Sequence, residues 1–178
     1  MDYNGLVKSL QLPDGYAAPT ELSYDDSRAH AISRADLDED VRGINASIEI
    51  IRRTRGGPWP TGPVTPGYNY VDLVWHECEF RDGGSFTYAV YNTSGRYLGC
   101  AYLSPLGRRT PLTADILRYD VDISWWVTPA AYQQGYYKKL YHALQQWISS
   151  AFPFRAAYYS NTEIPSQTST DTPDRTRR

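Results

Sequence analysis

Cysteine is nearly absent from the 178 residues: Cys78 and Cys100 are the only two, each inside an apolar-patterned segment. A disulfide framework or a zinc site needs more ligands at closer spacing, so the pair reads as reduced core thiols of a cytoplasmic protein. Histidine is as sparse. His30, His76 and His142 never approach the i, i+4 spacing of a metal pair, each reads as a satisfied structural residue, and no metal is expected. No apolar run comes near the roughly 20 residues that span a bilayer. The opening MDYNGLVKSLQLPDGY has neither the basic start nor the apolar stretch of a signal peptide. A net charge of −2 gives no general attraction to nucleic acid or to an anionic membrane, so neither is expected as a partner. Ser-His-Asp order, a phosphate-binding P-loop and internal repeats are all missing. Phenylalanine is scarce too, with 4 Phe against 16 Tyr and 5 Trp. Tyr and Trp combine apolar area with a hydrogen-bonding handle, which suits a half-wet cleft and a core alike.

What is present is an ordinary globular composition, 41% hydrophobic and 21% charged, long enough for one domain with a core and short for two. Residues 1–26 carry Pro13, Gly15 and Pro19 without a sustained period and read as a loose arm; residues 27–165 form the domain. From Ser166 the chain is Ser, Thr, Asp, Pro and Arg, the composition of a disordered tail. Arg28–Ser33 reads as a first strand. A helix follows, with Asp36–Glu39 and Ser33–Asp36 as rival capping boxes and Leu37, Val41, Ile44, Ile48 and Ile51 as one apolar stripe. Arg52, Arg53 and Arg55 read as its solvated end. Tyr70, Leu73, Val74, Glu77 and Phe80 suggest a second helix, and Ser85–Asn92 with Arg96–Ser104 a hairpin across Thr93-Ser94-Gly95. Tyr119–Val127 alternates two faces, a long helix runs from Ala130 to Ala151, and Phe154–Ser160 is a last strand. The order β-α-α-β-β-β-α-β predicts an α+β, mixed-sheet domain whose last two strands run parallel across the long helix.

The stretch Asp122–Tyr141, DISWWVTPAAYQQGYYKKLY, ends a two-faced strand in Val-x-Pro, passes a polar turn with Gly135 and opens a helix. Free N–H groups at such a helix start bind anions, and glycine permits close approach. This stretch resembles motif A of the GNAT superfamily of acyl-CoA-dependent N-acyltransferases, in which V-x-P precedes [QR]-x-x-G-x-[GA]. The segment Asp72–Pro105, with WHE, FTY and LGC in that order, is similar to a bacterial GNAT subgroup; the resemblance spans roughly residues 28–162. It implies a GNAT-like fold, C-terminally shortened, because residues 162–178 are too few and too polar for the helix and two strands that usually complete the sheet. It implies acetyl-CoA as co-substrate, its pyrophosphate on the turn amides, in a cleft where Tyr119–Val127 splays from the last strand. Two departures stand out. Tyr132 falls on the family's Gln/Arg and Tyr137 on its final small residue, where a ring would crowd the pyrophosphate; otherwise the loop is redrawn and Gln133 and Gln134 contribute side-chain donors.

The cofactor-binding residues that the resemblance implies are Trp126, Val127, Gln133, Gln134, Gly135, Tyr136 and Asn161, the last matching a family Asn that contacts the pantetheine arm. Asp122 matches an acidic position in the strand before motif A and is the candidate catalytic base; a carboxylate facing an apolar cleft has a raised pKa. Asp120, on the same face, is its rival. As plain strand residues both would be solvated and paired with Arg118 or Lys138. His76 and Glu77 would line the acceptor cleft if the second helix flanks it. The function implied is acetyl transfer from acetyl-CoA to a small-molecule or peptide amine. A non-catalytic GNAT-like CoA-binding or protein-interaction module stands as the alternative, and the Trp/Tyr surplus motivates a purely structural interaction domain. An uncovered last strand invites pairing, either with the arm or with the same strand of a second subunit, and a homodimer is expected.

Overall fold

The computed structural model describes residues 2–166, so the expected tail, Ser166 apart, lies outside the described residues. One six-stranded sheet follows chain order: β1 (Glu21–Tyr24), β2 (Ser27–Ala31), β3 (Phe86–Asn92), β4 (Tyr97–Ser104), β5 (Val121–Val127) and β6 (Ala157–Tyr159). Neighbours are antiparallel up to β5, and β5 pairs with β6 in parallel, as a crossover helix requires. The β3–β4 hairpin holds at the expected place. β1 lies inside the stretch expected as a loose arm, and more of that stretch is tied down. Leu10 is buried in the core, Lys8 pairs its backbone with Leu106, and the Lys8 ammonium donates to the carbonyls of Leu117 and Tyr119. Pro and Gly between these anchors hide them from a search for periodicity.

The helices are α1 (Leu37–Ala46), α2 (Ile48–Thr54), α3 (Pro66–Asp82), α4 (Pro129–Gln133) and α5 (Tyr136–Ala151). Of the rival capping boxes, Ser33–Asp36 forms: the Ser33 hydroxyl accepts from Ala35 N–H, and Asp36 accepts from Ser33 N–H at 2.9 Å. The single expected stripe Leu37–Ile51 is split at Ser47, whose φ of −123° and ψ of 9° leave helical geometry. Apolar spacing runs on through the break, which is why the pattern does not show it. The break sets α2 against β5. α1 lies so close to β4 that a Cβ on Gly43 would stand 2.5 Å from the Tyr97 ring.

Side chains on alternate strand positions separate two cores. Tyr88, Val90, Trp125 and Val127 pack with the α5 stripe Leu140, Tyr141, Leu144 and Trp147. Ala89, Cys100 and Trp126 face the other way, against Ile44 and Ile51 of α1 and α2 and Leu73 of α3. The tyrosines and tryptophans are therefore largely core, and hydrogen-bonded there: Trp147 donates to Ser23 O, Trp126 to Tyr102, Tyr88 to Pro19 O. No helix among the described residues is long and apolar enough to cross a membrane.

Candidate functional site

β6 stays beside β5 for only three residues, Val121 to Ile123 against Ala157 to Tyr159, with a last ladder bond from Ser160 N–H to Ile123 O at 2.9 Å. β5 runs on through Val127 with no strand on that side among the described residues, so the sheet opens into a gap. In this alternation Trp125 and Val127 present their backbone groups to the gap, while Trp126 turns its own towards β4, opposite Cys100. Trp126, expected at the cofactor, is thus directed away. Its backbone faces β4 and its indole, fully buried, lies against Tyr97 and donates to Tyr102.

Asn161 fills the gap just past the last strand. Its Oδ1 accepts from Trp125 N–H at 3.1 Å and its Nδ2 donates to Trp125 O at 2.9 Å, so a side-chain amide continues the ladder where β6 has left. Nδ2 also donates to the Tyr137 hydroxyl at 2.8 Å. Beyond Asn161 the chain crosses onto the end of α2, where Thr162 N–H reaches Arg55 O and Glu163 N–H reaches Thr54 O.

At the α5 side of the gap, the single expected helix Ala130–Ala151 is interrupted. Thr128 caps α4 through its hydroxyl, Gln134 N–H and Gly135 N–H bond back into α4, and Gly135 adopts φ +83° before α5 begins. That left-handed conformation favours glycine. A Cβ added at Gly135 would meet nothing within 4 Å, so the turn faces open space. The first internal bond of α5 is Lys139 N–H to Gly135 O, so the N–H groups of Tyr136 and Tyr137 belong to the set that a helix cannot satisfy internally. Gln133 and Gln134 are exposed on this turn, with Gln134 Oε1 accepting from Arg96. Tyr136 sends its hydroxyl away, to Asp26 at 2.6 Å.

On the opposite face of the sheet, Asp122 is 1% exposed. Its Oδ1 accepts from the Ser160 hydroxyl at 2.5 Å, and its Oδ2, also buried, has no hydrogen-bond partner among the described residues. Burial raises the Asp122 pKa, opposed by the Ser160 bond and by the charges of Arg109 and Arg55. Arg109 donates to Ser160 Oγ and to the carbonyls of Arg55 and Gly56; burial, then the Arg55 charge, lower its pKa to about 10, and it stays protonated at neutral pH. Arg55 donates to Ser124 Oγ at 3.1 Å with its guanidinium 4.1 Å over the Tyr102 ring. These groups adjoin a cavity of about 300 Å³ lined by Arg55, Arg109, Tyr102, Trp59, Trp75 and His76, and also by Ser104, the cross-strand neighbour of Asp122.

The rival acid is elsewhere. Asp120 accepts from Arg155 N–H and Ala156 N–H and lies 4.0 Å from Lys8, a clamp on the turn into β6. Neither aspartate is the plain solvated strand residue: Asp122 is buried and Asp120 is half-buried in a turn clamp. Of the expected acceptor-cleft pair, His76 lines the cavity, bonded to Thr87 and beside Asp72, whereas Glu77 turns to Arg34 and holds its own pKa down there. Arg55, read as part of a solvated helix end, instead turns inward and lines the cavity with Arg109, while Ser160 bonds Asp122. Sequence reasoning missed all three because no periodicity marks them; the adjacent pair Arg108-Arg109 in the polar connection was the one signal.

Solved structures share the overall fold. The chain is similar to the ribosomal-protein-S5-alanine acetyltransferase from Vibrio fischeri, at TM-score 0.54 and 11% identity over 73% of this chain and 67% of that one. It is similar to the Salmonella typhimurium acetyltransferase that modifies the N-terminal serine of 50S subunit protein L7/L12, at TM-score 0.54 and 8% identity over 72% and 68%. A ribosomal L7/L12 alpha-N-protein acetyltransferase in complex with coenzyme A matches at TM-score 0.53 and 10% identity over 74% and 67%. The chain has the GNAT acyltransferase fold. Identities this low carry the fold and nothing finer. No family of related sequences and no curated protein matches the chain.

The GNAT fold raises the question of acyl-CoA, and the donor set here fits its chemistry. The β5 edge at Trp125 takes a carboxamide on both its N–H and its C=O. The pantetheine arm carries the same amide group twice, and the open turn at Gly135 suits an anion.

Proposed function

We propose that this chain is an acetyl-CoA-dependent N-acetyltransferase acting on an amine that enters the cavity beside Asp122. One observation carries the reading: a buried carboxylate with one unpartnered oxygen sits on β5 at the start of the gap, with a cavity on its own face of the sheet and an open helix start on the other side. Acetyl-CoA, when bound, supplies the activated acetyl group. The residues that would hold it are Trp125, once Asn161 releases its N–H and C=O, and Val127, both through their backbone, and the turn Gln133, Gln134, Gly135 and Tyr136. Trp126 contributes only strand geometry.

Asp122 does the proton work. An incoming ammonium must lose a proton before its nitrogen can attack a thioester carbonyl. A carboxylate whose pKa is raised by burial is a stronger acceptor than a solvated one. Ser160 holds one oxygen, which leaves Oδ2 for the amine proton, and the charge of Arg109 opposes the rise that burial causes. Asp120, with Oδ2 engaged by two backbone N–H groups, serves the turn rather than the chemistry. The acceptor is a small-molecule or peptide amine. The WHE, FTY and LGC segments support membership of a bacterial subgroup, and the two unpaired cysteines support a cytoplasmic setting. Among the described residues β6 ends the strand order with no strand paired outside it, which supports a homodimer through that edge; light scattering at micromolar concentration checks it.

A second reading, a non-catalytic module that keeps the fold, is favoured by the Tyr137 side chain lying in the gap. Thiol release from acetyl-CoA, measured with a polyamine and with a peptide bearing a free N-terminus, separates the two. Amine-dependent release that falls in Asp122→Asn supports transfer. No release with either acceptor class, at a protein concentration where coenzyme A is shown to bind, favours the module.

A further inference from the structure

Tyr137 begins on α5, on one face of the sheet, and its hydroxyl ends against α2, on the other. The ring lies 5.1 Å from Trp125 and 5.4 Å from Tyr132. The hydroxyl stands 2.5 Å from Glu163 O and 3.4 Å from Thr54 O, and accepts from Asn161 Nδ2. Only 4% of the residue is exposed. A side chain that crosses a sheet can do so only where two strands part, and here it crosses between Trp125 of β5 and the chain leaving β6. Over the mouth, Tyr132 donates to the Glu163 carboxylate while Arg53 stacks on the Tyr132 ring at 5.1 Å and lies 3.9 Å from Glu163.

The gap joins the open turn at Gly135 to the face that carries Asp122. Any elongated ligand with its anionic end on that turn and its reactive end near Asp122 must pass through it. Tyr137 lies in this passage, its ring against Trp125 and its hydroxyl bonded to Asn161 and Glu163. Asn161 occupies the backbone N–H and C=O with which an amide-bearing arm would pair.

We propose that Tyr137 and Asn161 form a plug in the β5–β6 gap, so that the unliganded protein blocks its own acyl-CoA passage and binding must displace the plug. The inference rests on the acyl-CoA reading above. It adds that affinity is limited by the chain's own side chains and not by a lack of ligand-binding groups. The plug is held by Glu163, which ties the segment after β6 to α2, α4 and α5 together. Opening therefore requires that segment to shift along with Tyr137.

Calorimetric titration of the full chain with coenzyme A tests this, using wild type, Tyr137→Ala and Asn161→Ala, with folding of each checked by circular dichroism. The plug predicts weak binding by wild type and a gain of about tenfold or more, roughly 1.4 kcal/mol, in either variant. Wild-type binding at least as tight as that of the folded variants would overturn the plug while leaving the acyl-CoA reading intact. Absence of binding by wild type and by every folded variant would overturn the acyl-CoA reading itself. Should Tyr137→Ala not fold, Tyr137→Phe, which keeps the ring and loses the hydroxyl ties to Asn161 and Glu163, replaces it, with a smaller gain expected.

Discussion

Asn161 bonds both backbone groups of Trp125 with one side chain: its oxygen accepts from the Trp125 N–H at 3.1 Å and its nitrogen donates to the Trp125 carbonyl at 2.9 Å. Asn161→Ala leaves that N–H and C=O, deep between two cores, without protein partners. A buried polar group stripped of its partner costs about 1–3 kcal/mol. We expect a loss of that order in urea unfolding with an unchanged m value. Asn161→Asp should be worse, because a carboxylate cannot donate to the Trp125 carbonyl. Equal stability of wild type and Asn161→Ala would mean that the gap does not need its amide.

Asp122 links function to pH. Burial raises its folded pKa above the ordinary 3.8, so its contribution to stability is fully present below 3.8 and is lost as pH rises through the raised value. Asp122→Asn removes that dependence. The variant should gain melting temperature relative to wild type as pH climbs through this window, and the difference should level off above it. Turnover should fall roughly 10²–10⁴-fold, the usual range for a lost general base, with little change in coenzyme A affinity. A melting difference that is flat across pH would show that Asp122 is not strained by burial.

Gly135→Arg places a long side chain in the open space beside the α4–α5 turn and forces a non-glycine residue to φ +83°. The backbone cost is about 1 kcal/mol. Coenzyme A binding should weaken beyond what this small destabilisation explains, and Gly135→Ala should show the backbone cost with a smaller loss of binding. Unchanged affinity in Gly135→Arg would remove this turn as the anion site.

Much of this architecture is legible in the chain because alternation and glycine report on the backbone. The two faces of Val121–Val127 and the strand-end Asn161 fall where pattern places them, whereas the helix pattern from Ala130 runs on through the break at Gly135. Features that depend on packing between distant elements are not legible in this way. The helix break at Ser47 leaves the apolar spacing of Leu37–Ile51 intact, so nothing in the spacing announces that Arg55 will turn inward over Tyr102. Tyr137 was legible as a bulky residue at a position where a small one is expected. Its route through the sheet was not, because that depends on where β6 parts from β5 and on Glu163 arriving to receive the hydroxyl.

The most direct test of the account is amide hydrogen exchange of the full chain with and without saturating coenzyme A. The account predicts altered protection concentrated at residues 124–128, 133–138 and 160–163, the three segments that border the gap, with β1, β2 and β3 unchanged. A saturable footprint confined to other segments, or none at concentrations well above those of working acyltransferases, would contradict it.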